Sequence, residues 1–136
     1  MELNIRPLID EDYETILCKW WSDWGWESPQ KDFLPHNGKG GLIVFDGDIP
    51  ICAGFIYTTN SQVAWVDWIV SSKTYRKKPH RKNAIEWLIV SLENLAKKTG
   101  HTYIYALIKH KGLIGVYEKL GFIQGASYST ELLKKI

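Results

Sequence analysis

The spacing of hydrophobic positions along the chain changes several times, and each change marks an element. LNIRPL, residues 3–8, reads as a short strand ended by Pro7. Tyr13, Ile16, Leu17 and Trp20 then fall at helical spacing, which predicts a helix over about residues 11–21 with Asp10 as its N-cap. Residues 22–40 hold Gly, Pro and aromatics without a steady period, so a loop with one short helix is expected there. Residues 41–70 read as three strands, joined by turns at Asp46-Gly47-Asp48 and Thr59-Asn60-Ser61. Ile85, Leu88, Ile89, Leu92, Leu95 and Ala96 form the apolar stripe of a longer helix. Lys97 and Lys98 suit its negative end, and Gly100 stops it. TYIYALI, residues 102–108, reads as a buried strand, residues 112–120 as a short helix, and YSTELLKKI, residues 128–136, as a closing strand. The order predicts an α/β (α+β) protein: one domain over residues 1–136, with a central mixed sheet flanked by helices.

Composition narrows the classes of function. With 45% hydrophobic and 24% charged residues, the chain is that of a globular protein with a real core. Its apolar runs are too short to cross a bilayer, and the acidic N-terminus lacks the form of a secretory signal. Cys18 and Cys52 lack metal-ligand spacing and read as buried free thiols; no metal site is expected, and a cytoplasmic location is.

Net charge is +2, but it is unevenly spread. Lys73, Arg76, Lys77, Lys78, Arg81 and Lys82, with His80 among them, stand at the mouth of the long helix without one acid. The rest of the chain has 11 basic and 15 acidic residues. A nucleic-acid binder is more often basic over a broad face, which argues against that partner. A compact cluster at a helix N-terminus fits a small polyanion; the plainer alternative is a solvated surface run.

This element order, together with LIGVYEKLGF at residues 113–122, resembles the GNAT superfamily of acyltransferases over nearly the whole chain. In that family a similar stretch forms the last helix and the turn beyond it. The opening of the long helix is similar to the family's loop Arg/Gln-x-x-Gly-x-Gly/Ala, whose backbone cradles the pyrophosphate of acetyl-CoA. Arg76 matches the leading residue, but Pro79 and Arg81 stand at the two glycine positions. Pro79 has no N–H to donate and Arg81 adds bulk where backbone should approach phosphate. Side chains of Arg76, Lys77, Lys78, His80, Arg81 and Lys82 are therefore expected to replace part of the cradle.

The resemblance implies an N-acetyltransferase that uses acetyl-CoA as cosubstrate and an amine as acceptor. It makes Tyr117 the acid that protonates the departing thiolate, the alternative being a space-filling core tyrosine. It places Ile69, Val70 and Ser71 against the pantetheine arm, and His110 where the family often has an Asn that contacts CoA. Asp67, an acid within the apolar strand AWVDWIV, is either paired, at a sheet rim, or the base. Trp20 continues the first helix's stripe. Trp24 and Trp26 either line an acceptor site, where Asp23, Glu27 and Asp32 would favour a cationic amine, or simply pin a loop. A rival reading is a GNAT-fold binding module that has lost transfer activity with its loop glycines; a nucleic-acid binder is a more distant one. The sequence leaves the acceptor unnamed and a homodimer open.

Overall fold

In a computed structural model of the chain, residues 2–76 and 80–136 are described; Lys77 and Lys78, assigned above to the anion site, and Pro79 lie outside them. Five strands form one sheet in the order of the chain: β1 (Leu3–Pro7), β2 (Gly41–Asp46), β3 (Ile49–Thr58), β4 (Val63–Ser71) and β5 (Tyr103–Tyr105). The first three pairings are antiparallel and β4 with β5 is parallel. A parallel pair needs a crossover, supplied by α3 (His80–Lys98).

Strand alternation sends side chains to two cores. Leu42, Val44, Val66 and Cys52 meet Ala84, Leu88 and Leu92 of α3 on one face. Ile43, Ala53, Phe55 and Val70 meet Leu17, Trp20 and Trp21 on the other. These last three come from residues 10–23, which run as α1 (Asp10–Asp12), a π-helical turn (Tyr13–Leu17) and α2 (Cys18–Asp23). Trp20 is buried, as its place in the stripe predicts.

Several expectations are corrected. The N-cap is Ile9, not Asp10. Asp12 turns back to accept the Ile9 N–H at 2.8 Å, while Asp10 lies in the first turn and pairs with Lys31 at 2.7 Å. Residues 22–40 hold two 3₁₀ turns, Lys31–Phe33 and Pro35–Gly38, where one short helix is predicted. The buried strand of residues 102–108 is reduced to Tyr103–Tyr105, with both tyrosines exposed, because its outer edge lacks a partner strand among the described residues. The closing strand is not formed: residues 123–136 have no regular structure and are exposed throughout.

The last helix, α4 (Lys111–Lys119), matches its predicted place. Gly121, at φ 98°, turns the chain out of it. The Phe122 N–H reaches the Tyr117 carbonyl and the Gly121 N–H the Glu118 carbonyl, which satisfies the last turn.

Candidate functional site

β5 pairs with β4 only at Val63, Ala64 and Trp65. Beyond Trp65, β4 runs on to Ser71 without a strand on that side among the described residues, while β5 ends at Tyr105 and gives way to residues 106–110 and α4. Parallel strands that part in this way leave backbone donors and acceptors unpaired along one edge. Asp67, Ile69, Val70 and Ser71 all lie on this stretch of β4.

Asp67 is half-buried, and its Oδ1 accepts the Trp68 N–H at 2.7 Å. Burial raises its carboxyl above the ordinary aspartate value, the Trp68 N–H opposes the shift, and the charge of Glu131 adds to it. Tyr117 from α4 is 3% exposed, with its ring edge-on to Phe122 at 4.8 Å. Its hydroxyl has no hydrogen-bond partner among the described residues. Burial raises its ionisation well above the normal phenol value, and the nearby charge of Asp67 raises it further. The carboxylate and the phenol thus share one electrostatic environment, although one sits on a strand and the other on a helix 50 residues on. Glu131 of the C-terminal segment also reaches this environment and was not among the predicted residues; no spacing in the sequence ties it to Asp67.

At the end of β4, Ser71 is the meeting point of three elements. The Trp24 indole donates to the Ser71 carbonyl at 2.8 Å, and Arg81 of α3 donates to the Ser71 hydroxyl at 2.6 Å. Arg81 and Lys73 both lie over the Trp24 ring, 5.6 and 5.2 Å from its centre. Trp26 stacks on Trp24 at 6.2 Å and is 47% exposed. This puts the Trp24–Trp26 pair beside the basic cluster. Burial lowers the Arg81 pKa, and the charge of Arg76 lowers it further. Arg76 and Lys82 are exposed, and His80 opens α3 with its Nδ1 buried and without a partner among the described residues. His110 is exposed and precedes α4 without capping it through its side chain.

Two further aromatics, Trp21 and Trp68, escaped the sequence reading. Trp21 is fully buried, edge-on to Tyr13 at 6.0 Å and to Trp68 at 5.9 Å. Trp68 donates its indole N–H to the Tyr57 hydroxyl at 3.1 Å, and Tyr57 donates onward to the Phe33 carbonyl at 3.1 Å. Burial pushes the Tyr57 hydroxyl up to about 12, against the lowering effect of the Trp68 indole. A concavity of about 450 Å³ lies at the other end of α3, lined by His36, Leu42, Leu95 and Thr99 among others, and none of the predicted site residues lines it. Among the described residues no group of His, Cys, Asp or Glu is placed to hold a metal ion, and no helix is long and apolar enough to cross a membrane.

No protein-family model matches the sequence, and no curated protein does. Solved structures do match. An acetyltransferase from Trypanosoma brucei superposes with a TM-score of 0.68 at 16% identity, over 97% of this chain and 100% of that one. Glucosamine-6-phosphate N-acetyltransferase from Arabidopsis thaliana gives 0.71 at 11% identity, over 98% and 100%. N-acetylglutamate synthase from Neisseria gonorrhoeae, complexed with coenzyme A and N-acetyl-glutamate, gives 0.71 at 12% identity, over 93% of this chain but 29% of its own. The fold is that of the GNAT acetyltransferase superfamily.

Proposed function

We propose that the chain is an N-acetyltransferase that moves the acetyl group of acetyl-CoA to an amine, working in the cytoplasm. The observation that carries this reading is that Asp67, on the stretch of β4 beyond its pairing with β5, shares one electrostatic environment with the unpartnered Tyr117 hydroxyl. Acetyl transfer to an amine needs a proton acceptor on one side of the reacting carbon and a proton donor on the other. Asp67 Oδ2 is available to take the amine proton, since only Oδ1 is engaged by Trp68. The unpartnered Tyr117 hydroxyl is the donor to the departing sulfur. Acetyl-CoA, when bound, supplies an activated thioester carbonyl. The edge of β4 at Ile69, Val70 and Ser71, which has no strand beside it among the described residues, would hold its arm.

The residues present fit the phosphate end of such a ligand. Arg76 and Arg81 repel each other, as the lowered Arg81 pKa reflects after its burial, and an anion between them relieves that repulsion. The buried, unpartnered His80 Nδ1 adds a hydrogen-bonding group at the start of α3. Lys82 extends the same cluster, to which Lys77 and Lys78, outside the described residues, belong by sequence. His110, before α4, is a further contact for CoA. The Trp24–Trp26 pair then borders the cofactor end, and the acceptor approaches across the acidic first third of the chain. The binding-module reading draws support from Ser71, whose carbonyl and hydroxyl are already engaged by Trp24 and Arg81.

A thermal-shift series with acetyl-CoA, CoA and a duplex oligonucleotide tests the assignment. Acetyl-CoA should raise the melting temperature of the wild type. Arg76→Ala with Arg81→Ala should abolish most of that rise, each lost charge-assisted contact weakening binding by roughly 1.5–3 kcal/mol. An unchanged rise in the double variant would remove the cluster from the site. Stabilisation by the duplex alone would transfer the assignment to nucleic acid.

A further inference from the structure

Three non-glycine residues among those described have a left-handed backbone: His36, Asn37 and Trp68. The first two belong to a tight turn, whereas Trp68, at φ 57°, lies inside a strand. A bulky side chain is seldom found there and persists only where its surroundings impose it. The register shows what the turn does. Phe55 pairs with Asp67 and Ala53 with Val70, so Gly54 alone faces the two residues Trp68 and Ile69. This is a bulge, and a bulge leaves its extra residue without a ladder partner. Gly54 leaves room opposite it, since a Cβ there would push the end of the Ile69 side chain aside. The Trp68 ring is held by Trp21 and Phe33, edge-on at 5.9 and 6.3 Å, and by its indole bond to Tyr57. Its backbone N–H donates to Asp67 Oδ1 at 2.7 Å. That bond is the only one the Asp67 side chain makes among the described residues, and it is charge-assisted.

We propose that Asp67 is a positioning residue through one oxygen: Oδ1 locks the left-handed bulge at Trp68, and the bulge sets the direction of the Ile69–Ser71 edge on which acyl-CoA binds. Oδ2 is left for the acceptor amine. The binding half of this statement rests on the proposed acetyltransferase function; the structural half does not.

Asparagine and alanine separate the two oxygens. Asp67→Asn keeps a carbonyl oxygen for the Trp68 N–H but removes the proton acceptor, whereas Asp67→Ala removes both. By calorimetry, Asp67→Asn should bind acetyl-CoA within about twofold of the wild type while Asp67→Ala binds about 10- to 100-fold more weakly. The Trp68 amide and indole resonances, followed by ¹⁵N NMR in a Glu131→Gln background, report the bulge directly. Glu131 is replaced because, with Tyr117, it shares the electrostatic environment of Asp67. The amide should titrate with the Asp67 carboxyl, and the indole should shift in the alanine variant but not in the asparagine variant. Equal affinity of the alanine variant and wild type, or a Trp68 amide indifferent to that titration, would overturn the proposal. If no form binds acetyl-CoA, the acetyltransferase reading falls and the Trp68 resonances alone decide whether Asp67 holds the bulge. If the alanine variant does not fold, the amide titration and the asparagine variant decide.

Discussion

Tyr117 and Asp67 each hold their protons more firmly than the free side chains do, and burial is the leading cause for both. For Tyr117 this means the phenol stays protonated at any working pH, as a proton donor must. Tyr117→Phe removes one hydroxyl and keeps the ring contact with Phe122. Acetyl transfer should fall by about 10²–10⁴-fold, the usual effect of losing a positioned acid, with acetyl-CoA affinity unchanged. A lower melting temperature with unchanged turnover would instead make it a core residue. For Asp67 the shift has a consequence for stability. Its folded pKa lies above its unfolded one, so the folded state binds the proton more tightly and stability falls as pH rises from the unfolded to the folded value. Above that window the full cost of the buried charge is present. Asp67→Asn should therefore raise the melting temperature at neutral pH. That advantage should fade as pH falls toward about 3.9, the ordinary aspartate value. A constant difference across the range would contradict the assignment.

Among the elements, the first helix depends on an ion pair that joins it to β1. Arg6 of β1 donates to both oxygens of Asp12, at 2.7 and 3.0 Å, and Asp12 also accepts the Ile9 N–H. Burial raises the Asp12 carboxyl, but the Arg6 hydrogen bonds, the Ile9 N–H and the Arg6 charge outweigh it and hold it below the ordinary value. The Asp12 side chain is 4% exposed and Arg6 37%, so the pair is only half withdrawn from water. Arg6→Ala leaves a buried carboxylate without its cation and should cost roughly 2–4 kcal/mol in urea unfolding at pH 7, somewhat less than a fully buried pair. Because the folded pKa of Asp12 is lowered, this contribution is complete above the unfolded value and is lost as pH falls through the folded one. The variant and the wild type should converge in acid. Placement of Trp20 and Trp21 depends on this same helix, so the aromatic wall that holds Trp68 is indirectly tied to Arg6.

For the molecule as a whole, two features separate stability from function. The cores on the two faces of the sheet are complete without residues 123–136, which contribute nothing buried; Ile123 and Leu132 are more than 90% exposed. Ending the chain after Gln124 should shift the melting temperature by less than about 2 °C, the small effect expected of a segment without buried contacts. A larger loss would show that the segment packs in solution as the closing strand that its sequence pattern suggests. Charge is the second feature. The basic cluster and the acidic first third of the chain lie on different elements, yet Trp24, the residue that caps α2, lies beneath Lys73 and Arg81. The boundary between the two fields therefore falls at Ser71, the end of the strand that carries the site.

The local pattern by itself determined much of this protein. The three consecutive strands, the long helix and its glycine stop, and the helix–Gly–Phe turn are set by contacts within a few residues, which periodicity and turn chemistry report directly. The mixed sheet followed from their order, because the crossover through α3 lets β4 and β5 run parallel. The closing strand did not form because an edge strand needs a partner as well as a pattern, and the exposed β5 edge and the tail stay apart. Tertiary structure alone decided the site's fine arrangement. Asp67 could be read as an unusual acid in an apolar strand, but its bond to Trp68 exists only because β3 and β4 are out of step by one residue at Gly54. Arg81 could be read as a cation at a helix mouth, but its place on Ser71 and Trp24 depends on three elements meeting. Such contacts span up to 57 residues of chain, and no local spacing encodes them; they arise from packing two faces of one sheet.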